Sequence, residues 1–233
     1  MDADEFAAQV SGVAALAEPV RRDLYLYVAA QPGPVSRDQA SEGVGVARHT
    51  AKFHLDKLVE EGLLDPDFKR LSGRRGPGAG RPAKLYRRSG RQVSVTLPER
   101  RYDLAGELMA RAIEDSAQTG VAVVDALHGA ATDLGVTLGE RLRPDVAVAP
   151  GRERLIAVAC GTLAAHGYEP RRQGDTITMA NCPFDALARE HTALVCGMNL
   201  ALLGALADQV GGGLLGARLD PAADRCCVVL SAR

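Results

Sequence analysis

The segment Val35–Arg88 constrains the fold most, because its pattern fits two helices followed by a hairpin. The predicted order is a short helix (Ser36–Glu42), a turn at Val44-Gly45, and a longer helix from Ala47 to about Gly62. Apolar residues of the longer helix recur at spacings that predict one buried stripe, formed by Ala47, Ala51, Leu55, Leu58 and Val59. Phe53 falls on the opposite, polar face, which is unusual for an aromatic residue unless another molecule covers it.

The predicted hairpin is strongly basic. Between Phe68 and Pro98 there is no acid, and nine cations occur: Lys69, Arg70, Arg74, Arg75, Arg81, Lys84, Arg87, Arg88 and Arg91. Apolar Leu63-Leu64 and the run Lys84–Arg88 flank a loop rich in Gly, Arg and Pro, Ser72–Pro82. A positive hairpin beside an exposed helix suits a ligand with regularly spaced phosphates and a groove, so the sequence predicts binding to double-stranded DNA.

Charge is distributed unevenly along the 233 residues. Residues 1–92 hold 15 Lys/Arg against 12 Asp/Glu, and the remainder holds 13 against 17, for a net charge of −1. This asymmetry is typical of a nucleic-acid-binding module joined to a part that does not touch phosphate. The acidic start, Met1–Phe6, and apolar runs shorter than a bilayer span predict a cytoplasmic protein without a membrane segment.

The predicted fold class is α+β in three parts. Residues 1–92 are expected to form a winged helix-turn-helix DNA-binding domain. Residues 93–150 contain two predicted helices, Glu99–Gln118 and Val121–Leu142, and are expected to be a helical linker or dimerisation segment. Helix-turn-helix proteins usually bind two half-sites as two-fold dimers, so a homodimer is expected; an ordinary connector is the alternative.

Residues 151–233 are expected to form a small α+β sensor domain. Its predicted elements are a helix (Arg152–His166), a hairpin (Tyr168–Arg171 and Asp175–Ala180), two helices (Phe184–Val195 and Met198–Val210) and a closing hairpin (Gly216–Leu219 and Arg225–Leu230).

Two stretches, Val44–Leu64 (VGVARHTAKFHLDKLVEEGLL) and Gly80–Arg87 (GRPAKLYR), resemble the winged helix-turn-helix of ArsR-type bacterial regulators. The resemblance implies that the helix beginning near Ala47 is the recognition helix, in which His54-Leu55 matches a recurrent pair. Side chains expected in the major groove are Arg48, His49, Thr50, Lys52 and Phe53. The wing is expected to bind the DNA backbone or a minor groove through Arg74, Arg75, Arg81 and Lys84. A protein-interaction module with a solvated basic loop is the alternative.

All five cysteines lie in the C-terminal third: Cys160, Cys182, Cys196, Cys226 and Cys227. Cytosolic thiols stay reduced, so these residues are candidates for metal or redox chemistry rather than for disulfides. Cys182 follows a predicted strand, and Cys196 comes 14 residues later, at the predicted end of a helix. Cys226 and Cys227 lie in the predicted last strand, where neighbours point to opposite faces, so only one of them is expected to join the other two. Thiolates suit zinc, copper(I) or an iron–sulfur cluster.

The segment Asn181–Leu230 resembles the C-terminal part of SufR-type repressors, which also carry an ArsR-like winged helix. The resemblance implies an iron–sulfur cluster, expected to be 4Fe-4S, that tunes promoter affinity, with the loaded form as the repressor. Its ligands would be Cys182, Cys196, and either Cys226 or Cys227. A four-iron cluster would then need a non-cysteine ligand at its last iron, for which His191 is a candidate that the resemblance does not supply. Cys160 matches no motif position and is expected to be a small buried hydrophobe. The alternatives are another thiol-bound metal, or inert thiols in a domain that binds a small effector.

Catalysis is not expected. Paired thiols near His191 would suit thiol redox chemistry or, with a metal, hydrolysis. The sequence contains no nucleotide-binding glycine loop, metalloprotease helix or hydrolase nucleophile elbow, and Gly211–Gly213 lacks the Lys and Ser/Thr of a P-loop. The sequence therefore predicts a switch, in which the state of the C-terminal cysteines shifts the population of DNA-binding conformations.

Overall fold

The structure is a computed structural model and describes residues 3–69, 82–147 and 151–232. The chain divides between Val95 and Thr96 into two compact units, which we call the N-terminal unit and the C-terminal unit. Each has a hydrophobic core of its own.

The N-terminal unit contains four helices, α1 (Ala3–Ala15), α2 (Pro19–Ala29), α3 (Arg37–Val44) and α4 (Arg48–Glu60). Helix α2 begins at Pro19 because the preceding Glu18 carboxylate accepts the free backbone N–H groups of Val20 and Arg21. Helix α3 begins with a capping box between Ser36 and Gln39, and it ends at Gly45, whose φ of 73° suits glycine. The short turn after Gly45 leads into α4, so the predicted helix-turn-helix is confirmed.

Helix α4 is held by its predicted apolar stripe. Ala51, Leu55 and Leu58 are buried against Leu24 and Val28 of α2 and the rest of this core. Ala47 is the exception, because it is the residue before the helix and is exposed. Burying three side chains on one face leaves the opposite face of α4 in solvent.

A three-stranded antiparallel sheet completes the N-terminal unit. Its strands are β1 (Val35–Ser36), β2 (Leu64–Lys69) and β3 (Ala83–Arg88), in the order β1-β3-β2. Pro66 lies in β2, opposite Tyr86 of β3. Because β2 is at the edge of the sheet, the missing N–H of proline interrupts no hydrogen bonds to a further strand. Arg74, Arg75 and Arg81, predicted to form the wing tip, lie outside the described residues.

The C-terminal unit combines five helices and four strands among its described residues. The helices are α5 (Tyr102–Thr119), α6 (Val123–Ala147), α7 (Arg152–Ala165), α8 (Asp185–Glu190) and α9 (Thr192–Gly211). The strands are β4 (Pro170–Gln173), β5 (Thr176–Met179), β6 (Leu215–Leu219) and β7 (Val228–Ala232), in the antiparallel order β4-β5-β7-β6. Helices α5 and α6, assigned from the sequence to a separate segment, share one hydrophobic core with α7, α9 and this sheet.

Helix α9 is the central element of the C-terminal unit. It buries ten of its 20 residues, chiefly against α6 and the sheet. By length and composition it is the one described helix that could span a membrane, but half of its most apolar window is buried inside the unit, as in a core helix. The predicted helix break between Val195 and Met198 is wrong: the helix continues through Cys196-Gly197, and the break lies at His191 instead.

Glycines set the distance between α6 and α9. A Cβ atom at Gly135 would lie 2.3 Å from the Leu202 carbonyl oxygen, and one at Gly139 would lie 2.3 Å from Gln209 Cβ. A Cβ at Gly197 would lie 2.8 Å from His128 Nε2. The two helices therefore approach more closely than side chains at these positions would permit. Gly197 is needed for this packing inside α9 and does not mark the end of the helix.

We expect Gly135→Ala to destabilise the protein by about 1–3 kcal/mol, since the added methyl group must push α9 away. Gly129→Ala, in the same helix, is the matched control: a Cβ there meets nothing within 4 Å, and removing a mid-helix glycine should stabilise by up to about 1 kcal/mol. Urea unfolding followed by circular dichroism measures both. Equal stability of the two variants would contradict the close-contact explanation.

Candidate functional site

The exposed face of α4 carries the side chains predicted to enter a DNA groove. Arg48, His49, Lys52 and Phe53 are exposed, and Thr50 is half-buried. The Phe53 ring is 63% exposed and meets its neighbour His54 edge to face, with 5.2 Å between ring centroids. An aromatic ring this exposed on a helix that has a buried stripe of its own is available for contact with another molecule.

His54 and Leu55, the recurrent pair, serve to fix α4 rather than to present it. Leu55 is fully buried. His54 Nδ1 lies 3.4 Å from Arg21 Nε and 3.5 Å from Glu18 Oε2, so it joins α4 to the start of α2.

Acidic side chains of the N-terminal unit pair with two of the predicted groove-binding cations. Arg48 forms an ion pair with Asp38 of α3, with 3.1 Å between Nη2 and Oδ2. Lys52 Nζ lies 3.7 Å from Asp56 Oδ2 on the same helix. Both cations and Asp38 are exposed, and Asp56 is half-buried, so these pairs are weak and phosphate could displace them at little cost.

Asp56 also joins α4 to β3. Lys84 Nζ lies 2.6 Å from Asp56 Oδ1, and the Tyr86 hydroxyl donates to the same oxygen at 2.9 Å. Burial alone would raise the pKa of Asp56, but the hydrogen bonds from Lys84 and Tyr86 lower it below its ordinary value. Lys84, predicted to bind DNA, is thus half-buried and positioned by the recognition helix.

The second candidate site is a group of four thiols in the C-terminal unit. Cys182 lies in the loop after β5, and Cys196 lies in the second turn of α9. Cys226 and Cys227 were predicted to lie in the last strand, but β7 begins only at Val228 and the two residues precede it in a bend. Backbone pairing nevertheless continues to Cys227, whose carbonyl accepts from the Asp220 N–H at 2.7 Å, so the expectation that only one of the two joins the site stays a prediction.

The four thiols lie close enough to one another to affect each other's pKa. Cys182 contacts Cys226, Cys226 contacts its neighbour Cys227, and Cys227 contacts Cys196. The backbone N–H of Cys226 donates to the Met179 carbonyl at 2.9 Å, which places it beside the end of β5. Folding therefore brings together cysteines from three distant segments.

The environment favours the protonated form of Cys182, Cys196 and Cys226. The hydrogen bond with Cys226, followed by burial, raises the pKa of Cys182 well above its usual range. For Cys226 the contact with Cys182 lowers the pKa. The contact with Cys227 and burial together outweigh that effect and raise the pKa to about 11. Burial also raises the pKa of Cys196, although its contact with Cys227 lowers it. Thiols of this kind are poor nucleophiles at neutral pH.

The donor set has the chemistry of a soft-metal or iron–sulfur site, because cysteines from three separate segments lie near one another. Among the described residues, no three His, Cys, Asp or Glu side chains are arranged so that they could bind one metal ion. The thiols contact one another pairwise, so holding a cluster would require their side chains to rotate toward a common centre.

Three further side chains are predicted or possible ligands. His191 is exposed at the junction of α8 and α9. Cys160, on α7, is half-buried, with a pKa raised by burial. Sequence reasoning missed His128 of α6, whose ring packs on Gly197 beside Cys196 and whose Nε2 is the one buried side-chain nitrogen or oxygen without a hydrogen-bond partner in the described residues.

The loop that carries Cys182 is held by four consecutive residues, Glu99–Tyr102, which we call the 99–102 segment. Arg100 Nη1 donates to the Asn181 side-chain oxygen and, at 3.1 Å, to the Cys182 carbonyl. Asn181 Nδ2 in turn donates to the Glu99 carbonyl at 2.9 Å. The Arg101 N–H donates to the Pro183 carbonyl, and the Tyr102 hydroxyl accepts from the Ala186 N–H. No sequence motif indicated this segment, because its contacts span about 80 residues.

Comparison with known proteins identifies one region. Residues 16–67 match the family model described as a helix-turn-helix domain, which spans α2 to β2 of the N-terminal unit. No curated protein and no solved structure is significantly similar to the chain. The exposed recognition helix and this match define the N-terminal unit as a helix-turn-helix DNA-binding domain, as found in transcription regulators.

Proposed function

We propose that the protein is a winged-helix transcription regulator whose operator affinity is controlled by an iron–sulfur cluster on its C-terminal cysteines. The observation that carries this proposal is the meeting of Cys182, Cys196 and Cys226-Cys227 in one place, although they lie up to 45 residues apart. A different thiol-bound metal is the second candidate, favoured by the same sulfur donors.

The DNA-binding part of the proposal uses α4 and the β2–β3 pair. Helix α4 would lie in the major groove with Arg48, Lys52 and Phe53 toward the bases and phosphates. The strands β2 and β3 flank residues 70–81, which contain Arg74, Arg75 and Arg81 and would form the wing. The half-buried contact of Lys84 with Asp56 would hold the base of this wing against the recognition helix.

A homodimer would place two recognition helices on two half-sites. Apolar side chains at the junction of α5 and α6 support an interface there. Ile113, Val121, Val123 and Val124 are 44–58% exposed.

The cluster part of the proposal assigns Cys182, Cys196 and one of Cys226 and Cys227 as ligands. When bound, the cluster would supply an oxygen- and iron-responsive group that ties the Cys182 loop, α9 and the start of β7 together. The last iron would take a non-cysteine ligand, for which His191 is the candidate from the sequence. The buried, protonated thiols favour a sensor over a thiol enzyme, which needs an accessible thiolate. Reduced thiols and a DNA target would place the protein in the cytoplasm.

The 99–102 segment offers a route from the cluster to the DNA-binding unit. It holds the Cys182 loop through Arg100 and Asn181, and it begins only three residues after the boundary at Thr96. A change in the Cys182 loop on cluster binding would therefore act directly on the chain that enters the N-terminal unit. Coupling would be a population shift, because the segment fits one arrangement of the loop better than another.

Phe53→Ala should weaken binding to specific DNA about 10-fold, since burying an exposed phenylalanine side chain against a thymine methyl is worth roughly 1.5–3 kcal/mol. The test uses DNA fragments that the wild-type protein enriches from a random library, with affinities from fluorescence anisotropy. Leu26→Ala, an equally exposed apolar residue on α2, is the control and should bind like wild type. Equal affinities for the two variants would remove Phe53 from the interface.

Cys182→Ser and Cys196→Ser should abolish cluster uptake in anaerobic reconstitution, because each removes a ligand from the linked thiols. Cys160→Ser is the matched control and should load normally. Iron and sulfide content and the broad visible absorption are the readouts. Wild-type protein that stays colourless and iron-free but binds specific DNA would refute cluster control and favour another effector.

Arg100→Ala should uncouple the two sites. We expect the wild-type operator affinity to differ about 5–150-fold between loaded and cluster-free protein, as allosteric couplings typically do. In the variant this ratio should fall toward one while cluster-free affinity stays unchanged. Arg172→Ala, which removes an exposed ion pair with Glu153 in the same unit, should keep the wild-type ratio. An Arg100→Ala protein with an undiminished ratio would exclude this route.

A further inference from the structure

The C-terminal unit buries a line of three polar side chains, Tyr168, Asn199 and Cys226, which we call the polar bridge. They are 2%, 1% and 1% exposed. The Tyr168 hydroxyl donates to Asn199 Oδ1 at 2.5 Å, and Asn199 Nδ2 donates to Cys226 Sγ at 3.3 Å. Buried polar groups destabilise a core unless they are hydrogen-bonded, so a line whose members satisfy one another favours a single arrangement.

The partners of Asn199 fix the orientation of its amide. A metal-bound thiolate has no proton, so it can accept a hydrogen bond but cannot donate one. If the amide were reversed, its oxygen would face the Cys226 sulfur and repel it. In the structure the Tyr168 hydroxyl donates to the amide oxygen, and the NH₂ group faces the sulfur.

Helix α9 supplies both a thiol and this amide. Cys196 and Asn199 are three residues apart, so they lie on neighbouring positions of one helix face. The other buried residues of α9 are apolar or glycine, which makes an amide at this position costly without a specific partner. The bridge ends on Cys226, which is buried, whereas the neighbouring Cys227 is half-buried.

We propose that Asn199, oriented by Tyr168, is a positioning residue that selects Cys226 as the third cysteine ligand and stabilises the reduced cluster through its N–H···S bond. This inference rests on the proposed iron–sulfur function. Hydrogen bonds to ligand sulfurs are among the factors that set cluster reduction potentials and metal retention. Reduction adds negative charge to the cluster and its sulfurs, so a donated N–H stabilises the reduced state more than the oxidised one and raises the potential.

The test compares Asn199→Leu, which keeps the size but removes the donor, with Tyr168→Phe, which removes only the hydroxyl. Thr162→Val is the matched control. It removes another buried hydroxyl of this unit, one that donates to the Val158 carbonyl and not to the polar bridge. Reconstituted Asn199→Leu should have a lower reduction potential and lose iron in air about 10-fold faster than wild type. Tyr168→Phe should shift both quantities in the same direction by less, and Thr162→Val should match wild type.

Cysteine variants test the selection itself. Cys226→Ser should lose the cluster, and Cys227→Ser should retain it with an unchanged visible spectrum. The reverse pattern, or loss in both variants, would overturn the selection of Cys226. Thermal melting of the cluster-free proteins shows which variants fold, and if Asn199→Leu does not, Tyr168→Phe decides the outcome.

The two levels of proposal fail in different ways. Suppose that wild-type protein loads normally but that both bridge variants have the same reduction potential and iron-loss rate as Thr162→Val. This result would overturn the role of Asn199 alone. A wild-type protein that takes up no iron and sulfide would overturn the cluster proposal and the role of Asn199 together.

Discussion

Close packing of α9 against α6 is the contact on which the C-terminal unit depends. Glycines at 135 and 139 allow the α9 backbone to approach α6 at distances that a methyl group would prevent. Because α9 is buried over half of its length, this contact fixes the direction in which each of its side chains points. Cys196 and Asn199 owe their positions to it, and the proposed sensor site is therefore a consequence of helix packing rather than of a local motif.

In the N-terminal unit, core packing likewise fixes the orientation of one helix, α4. Leu55 and Leu58 hold one face of α4 in the core, and the contacts of His54 and Asp56 join the middle of the helix to α2 and β3. What remains exposed is a face with Phe53 at its centre. Phe53 is therefore exposed although α4 is firmly packed, so its ring is free to contact a partner.

Much of the helical architecture could be predicted from the sequence, because its signals are local. The turn at Val44-Gly45 and the apolar stripe of α4 act over a few residues, and the helix-turn-helix is where they predicted it. The same local reasoning failed at Gly197, where a glycine was interpreted as a helix break. Its actual role is to admit the ring of His128 from another helix, which no local pattern reveals.

The sequence by itself determined the recognition helix, the basic hairpin and the identity of the candidate sulfur donors, since these depend on residue type and short spacing. Only the tertiary structure decided which groups meet. It placed Cys226-Cys227 in a bend ahead of β7, set the thiols close to one another, and brought Arg100 and Asn199 to the residues around them. The physical reason is that these contacts join segments 27 to 82 residues apart, and such pairings are chosen by the packing of the whole unit rather than by neighbours along the chain.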